Sequence, residues 1–230
     1  NGKLSKRDGD KLGFPVFPLE WKTEEGISSG YREKGFFPEA VVNFLALLGW
    51  NDGTDKELFS LEELVETFDL NRVHKAGAKF DPEKNKWFNH QYLIKQNDAD
   101  LAKSFSPILV EKGVDISKYD VTRIVSLIKE RAHFVSEFWD LTDFFFQAPT
   151  SYDEKASKNW KEETPALMQE LISTLEYIDG FDSANIEAIV KDWLTKNEIG
   201  MGKVMQPFRL SLVGALKGPH LFDIVEIIGK

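Results

Sequence analysis

The residues best suited to chemistry stand at the start of the chain, in Lys3-Leu4-Ser5-Lys6-Arg7-Asp8-Gly9. Two ammonium groups and a guanidinium there surround a small hydroxyl residue. Such a set fits phosphate chemistry: lysine brings mobile point charge, arginine a fixed fork of donors, and serine a short side chain that lets backbone amides approach an anion. Taken alone, a basic run of this length is more often a solvated loop or a sorting signal. A complete small phosphotransfer enzyme is disfavoured, because neither a Gly-rich phosphate loop nor an acidic metal-binding cluster accompanies the run. Other basic groups gather at Arg72, Lys75, Lys79, Lys84 and Lys86, and again at Lys203, Arg209 and Lys217. Each of these clusters, read by itself, is ordinary solvated surface.

The elements that must position these groups have ample material. The 230 residues are 42% apolar and 29% charged, with 18 Phe and 6 Trp, which is far from a disordered composition and enough for a sizeable core. A formal net charge of −9 argues against a nucleic-acid binder whose whole surface is basic, so any RNA contact has to be local. The absence of cysteine rules out disulfides and thiolate metal sites, and His74, His90, His133 and His220 are scattered, so no metal is expected. No stretch approaches the roughly 18 apolar residues of a membrane span, and the opening residues are no signal peptide. A cytoplasmic protein is expected, with neither membrane nor DNA as partner. The chain opens on Asn1 and enters a charged, loop-like motif at once, and it reads as a fragment.

Residues 1–35 are rich in Gly, Pro and charge, with two Phe-Pro pairs in Gly13-Phe14-Pro15-Val16-Phe17-Pro18, so turns and extended chain are expected rather than helix. From Pro38 the apolar spacing turns helical and ends at Gly49. Ser60-Leu61-Glu62-Glu63 is a capping box that predicts a helix from Leu61 to about Phe68, with Phe59 and Leu64 at the spacing of a hydrophobic staple. Asp81-Pro82 opens another helix carrying Trp87, Phe88, Gln91 and Tyr92. Beyond residue 95 the spacing is helical throughout, over 99–112, 118–146, 165–178, 184–197, 203–216 and 220–228. Thr164 and Ser183 are the expected N-caps, and Gly180 and Gly200 the expected stops. Pro107 and Pro207 are expected to break or kink their helices. The polar segment 147–163 reads as a subdomain joint.

The opening motif resembles the K-M-S-K-S signature loop of class I aminoacyl-tRNA synthetases, in the K-L-S-K-R form of glutamyl-tRNA synthetases. Gly35-Phe36-Phe37-Pro38-Glu39-Ala40 and Asn43-Phe44-Leu45-Ala46-Leu47-Leu48-Gly49-Trp50 follow in that family's order. So do Phe59-Ser60-Leu61-Glu62-Glu63-Leu64, Phe68-Asp69-Leu70-Asn71-Arg72-Val73 and Phe80-Asp81-Pro82-Glu83-Lys84. The resemblance is dense to about Tyr92, sparse in the middle, and returns at Gly202-Lys203-Val204-Met205-Gln206-Pro207 and Gly218-Pro219-His220-Leu221-Phe222. It implies a mainly all-α fold: an α-helical stem-contact domain, then an α-helical anticodon-binding bundle or cage of two subdomains. On that reading residues 1–95 hold the signature loop and stem-contact domain, and 96–150 and 151–230 the two anticodon-binding subdomains. An insertion occupies about 11–30, where many relatives have a shorter link. Its apolar residues either pack back on the stem-contact domain or face the rest of the enzyme.

The resemblance further implies roles. Lys3, Ser5, Lys6 and Arg7 would steady the phosphates of ATP, with Mg, in an intact ligase that activates glutamate as an adenylate and transfers it to tRNA(Glu). Glutamate and ATP would be bound through a Rossmann catalytic half with an H-I-G-H-type loop that is absent here, so the fragment alone is expected to be inactive and cofactor-free. The intact enzyme is expected to be monomeric. Arg72, Lys75, Lys79 and Lys84 become candidates for tRNA phosphate contacts, which position RNA without reading it. The family's base-contacting positions fall on Arg131, Arg209, Pro219 and Leu221, with Arg131 read as lying within a helix. A rival from another class, an acidic all-helical protein-interaction module, explains the charge but not the ordered motifs.

Overall fold

The computed structural model describes Gly9 and residues 14–24, 26–75 and 77–230. Lys3, Ser5, Lys6 and Arg7 lie outside the described residues. Among those described, eleven α-helices and one two-stranded hairpin form two compact units. Unit 1 runs to Ile108 and takes in Lys129–Phe138; unit 2 comprises Leu109–Ile128 and Trp139–Lys230. The mainly helical expectation holds.

In unit 1, strands β1 (Trp21–Thr23) and β2 (Gly26–Ser28) pair antiparallel, with Trp21 opposite Ser28. Gly30 closes this segment against Leu19, whose backbone leaves no room for a Cβ at position 30. The hairpin segment divides its apolar residues: the Phe14 ring stacks on Phe80 at 4.6 Å and Pro15 is buried, whereas Val16, Leu19, Trp21 and Ile27 are exposed. Helix α1 (Pro38–Leu47) starts with proline in its first turn, where the missing N–H costs nothing. Helix α2 (Leu61–Thr67) carries the expected reciprocal cap: Ser60 Oγ accepts from Glu63 N at 3.2 Å, and Glu63 Oε2 accepts from Ser60 N at 2.9 Å. Helix α3 (Pro82–Lys95) is capped by Asp81. Ala40 and Phe44 of α1 pack on Phe88 and Tyr92 of α3, while Trp50, Phe59 and Leu64 form a second cluster. Buried Asn43 joins the two, accepting from Phe59 N at 2.9 Å and from the Tyr92 hydroxyl at 2.7 Å. Helix α4 (Asp98–Glu111) contributes Phe105, edge-on to Phe138 at 5.5 Å.

Unit 2 contains α5 (Val121–Ile128), α7 (Glu154–Ser157), α8 (Thr164–Glu176), α9 (Ser183–Lys196), α10 (Met201–Val213) and α11 (Leu221–Ile228). Its main core gathers Leu171, Ile186, Val190, Leu194, Val204, Leu221 and Phe222 from four helices. A smaller one sets Ile124 and Ile224 against Phe144 and Phe145. The segment 147–163, read from sequence as a joint, lies within this unit and includes α7.

Several local expectations need correction. The single helix over 118–146 is instead α5, 3-10 turns at Lys129–Arg131, Val135–Glu137 and Asp143–Phe145, and the short helix α6 (Phe138–Thr142). Aromatic residues keep the helical apolar rhythm there although the backbone ladder is interrupted. Arg131 therefore sits in a 3-10 turn rather than a helix. The caps of α8 and α9 are Glu163 and Asp182, one residue before those expected, and Asp182 accepts from Asn185 N. Gly200 is the N-cap of α10, and the left-handed turn after α9 falls on Glu198 at φ 56. Pro107 and Pro207 break neither helix; α4 and α10 run through them.

Candidate nucleic-acid interface

The corner between α10 and α11 is built on a close approach. At Gly214, which ends α10 in the left-handed conformation at φ 76, a Cβ would lie 2.6 Å from the Ser151 carbonyl oxygen. Only glycine satisfies both demands. From α10, Arg209 reaches back over the turn, and its Nη1 donates to the Pro219 carbonyl oxygen at 2.8 Å and to that of Lys217 at 3.3 Å. The guanidinium thus fixes the loop 214–220 as well as charging it. Pro219 is buried, and Leu221 is a core residue with 3% exposure, so neither presents a free side chain to solvent.

Beside this corner lies a groove of about 450 Å³, lined among others by Glu187, Lys191, Gln206, Arg209, His220 and Leu221. Its lining sets one carboxylate, Glu187, against the cations Lys191 and Arg209. Lys191 Nζ meets Glu187 Oε1 at 2.6 Å, and that hydrogen bond holds the Glu187 carboxyl below the usual glutamate range. His220 is half exposed, 3.8 Å from Glu187 and 3.9 Å from Asp223. A groove offering an amide, an imidazole and a guanidinium, with the Lys191 charge offset by Glu187, suits the edge of an unstacked base better than a phosphate. Arg209, Pro219 and Leu221 are thus brought together. Gln206, Lys191 and Glu187 were not singled out from sequence; the signal for Gln206 was its place one helical turn before Arg209.

The remaining candidates lie in unit 1. Arg131 is exposed, and among the described residues no hydrogen bond or ion pair holds its guanidinium. Arg72, Lys75 and Lys79 are exposed on the segment between α2 and α3. The Arg72 guanidinium lies over Gly53, 3.1 Å from where a Cβ would stand. Lys84 differs from these: its ammonium is held by both Glu57 oxygens at 2.6 and 2.8 Å and sits 4.2 Å from the Trp87 ring centroid. Among the described residues no cluster of three or more His, Cys, Asp or Glu is placed to hold a metal, and no helix is long and apolar enough to cross a membrane.

Residues 99–230, which carry the groove and Arg131, match the family model of the anticodon binding domain. The chain belongs to the anticodon-binding-domain family. Residues 2–87 match a second model, the catalytic domain of class I tRNA synthetases (E and Q). The whole chain is similar to the glutamate–tRNA ligases of Flavobacterium johnsoniae, at 91% identity, and Flavobacterium psychrophilum, at 73%, and spans 46% of the length of each. Among solved structures, a glutamate tRNA ligase from Elizabethkingia meningosepticum in complex with its amino acid is similar at TM-score 0.92 and 48% identity. One from Elizabethkingia anophelis follows at 0.90 and 47%. All of this chain and 46% of each of those are covered. The resemblance to glutamyl-tRNA synthetases drawn from the motifs therefore holds along the whole chain, anticodon-binding domain included.

Proposed function

We propose that the chain is the C-terminal, tRNA-binding part of an ATP-dependent glutamate–tRNA ligase, and that its partner is tRNA(Glu). The observation that carries this reading is the groove at the α10–α11 corner. It lies within the anticodon-binding domain and offers Arg209, Gln206 and His220 on a rigid helical frame. Single-stranded loops are read by stacking and by contacts to base edges, which these side chains supply. Arg209 and Arg131 contact anticodon bases. Pro219 and Leu221, being buried, shape the groove and approach RNA through their backbone. Arg72, Lys75 and Lys79 contact phosphates of the tRNA stem, with Lys84 contributing only if Glu57 releases it. The domain roles follow: stem contact in 1–95 and anticodon binding in 96–150 and 151–230.

In the intact ligase Lys3, Ser5, Lys6 and Arg7 would hold the phosphates of ATP with its Mg, and the catalytic half would supply the glutamate site. The intact enzyme is proposed to be a cytoplasmic monomer. The test is binding to glutamate tRNA and to an unrelated tRNA across a salt series, repeated with Arg209→Ala and Arg131→Ala. Tighter binding to glutamate tRNA that both variants weaken by about tenfold or more, with the salt slope changed by about one unit or less, is the expected result. Equal binding of both tRNAs at every salt concentration would remove the anticodon-reading role.

A further inference from the structure

Helix α3 does more than fill the core of unit 1. Its neighbouring residues Asn89 and His90 hold neighbouring carbonyls of the segment that follows Arg131. Asn89 Nδ2 donates to the His133 carbonyl oxygen at 2.6 Å, and His90 Nδ1 lies 2.7 Å from that of Ala132, so the tautomer protonated on Nδ1 donates there. Asn89 is fully buried and is itself fixed, since its Oδ1 accepts from Phe37 N at 2.8 Å. The Glu137 carboxylate accepts from His133 N at 2.7 Å. At the other end of the turn, Lys129 Nζ sits 2.7 Å from the Asp98 carboxylate and 3.3 Å from the Gln96 carbonyl oxygen. The Ala132 side chain is completely buried.

Three of these hydrogen bonds act on backbone atoms of Ala132 and His133, the ion pair ties the Lys129 side chain at the start of the turn, and none acts on the Arg131 guanidinium. A surface turn that served only to connect elements would not need a buried amide, an imidazole, a carboxylate and a partly buried ion pair. We propose that Asn89, His90, Lys129 and Glu137 are positioning residues that hold the 129–133 turn as a rigid pedestal, so that Arg131 offers its donor fork to an RNA base in a fixed place. This rests on the reading of Arg131 as a base contact. A fork of donors selects one base edge only if its origin is fixed, because a mobile backbone lets it follow any acceptor.

A purely structural role would lower stability and weaken every RNA alike, whereas positioning changes the choice between bases. The experiment measures binding of the full-length protein to glutamate tRNA and to three variants, each with one anticodon base replaced. His90→Leu removes the donor to Ala132. It is expected to reduce the preference at the base read by Arg131 about threefold to tenfold, the effect of one net hydrogen bond. His90→Asn, whose amide nitrogen can stand where the imidazole Nδ1 stood, restores the preference. Glu137→Leu and Glu137→Gln form a second such pair at a more exposed position. In an Arg131→Ala background, His90→Leu and Glu137→Leu should change no preference further. Equal weakening of all four RNAs, or a loss of preference just as large without Arg131, would overturn the pedestal while leaving Arg131 a reader. Unchanged preferences in Arg131→Ala alone would remove the reading itself.

Discussion

Asp143 is the first residue of the 3-10 turn that feeds Phe144 and Phe145 into the smaller core of unit 2, and its carboxylate accepts from Phe144 N at 2.9 Å. Burial, assisted by the nearby Asp140 charge, raises its carboxyl above the usual aspartate range, against the Phe144 hydrogen bond and the Lys217 charge. The folded state thus holds this proton more tightly than the unfolded state does. Stability is lost as pH rises from the ordinary aspartate value through the raised one, and the penalty is complete above it. Asp143→Asn keeps an oxygen to accept from Phe144. Urea unfolding should find it at least as stable as the parent at neutral pH, with that advantage gone below about pH 3.5. An advantage that grew in acid would reverse the assignment. Single residues also show where sequence stops informing. Arg209 and Pro219, ten positions apart, were both marked by the family resemblance, but the clamp of Asn89 on His133 spans 44 positions and leaves no local pattern.

Three elements of unit 2 meet at one carboxylate. Glu226 on α11 takes a two-pronged contact from Arg123 on α5, with Nη1 at 2.8 Å from Oε1, and accepts at 3.0 Å from Ser183 N at the start of α9. The Arg123 hydrogen bond is the chief reason its carboxyl titrates below the usual glutamate range. For a depressed acid the stabilisation is present above the ordinary glutamate value and disappears as pH falls through the folded one. Glu226→Gln should cost about 1 kcal/mol at neutral pH, a modest figure because Arg123 is partly solvated, and the difference from the parent should shrink in acid. Circular dichroism during chemical unfolding at two pH values would show both effects. A difference independent of pH would mean that packing, not charge, holds the joint. Helices with strong caps and clean spacing, such as α2 with Ser60 and Glu63, were legible almost to the residue. The stretch 118–146 was not. Its aromatic residues satisfy the same core whether the backbone is α or 3-10, so spacing alone does not report the break after Ile128.

For the molecule as a whole, a formal charge of −9 sets the scale of the proposed RNA binding. Only local cations can displace counterions, and the pairing of Lys84 with Glu57 and of exposed Lys86 with Glu83 leaves Arg72, Lys75 and Lys79 as the main candidates in that stretch. A logarithmic plot of affinity against salt should have a slope of about −2 to −4, and Lys84→Ala should leave it nearly unchanged. A slope steeper than about −6 would require a far larger basic footprint.

Neither unit is one continuous stretch of chain. The chain passes between them at 108–109, at 128–129 and again at 138–139, whereas the family model of the anticodon-binding domain begins at residue 99. A cut at that boundary would take away the 129–133 turn together with the rest of the domain, leaving Asn89 and His90 on the other side with nothing to hold. What looks in sequence like a detachable module is interleaved in space with the segment before it. A piece beginning at residue 99 would carry Arg131 on a turn that has lost its Asn89 and His90 clamps.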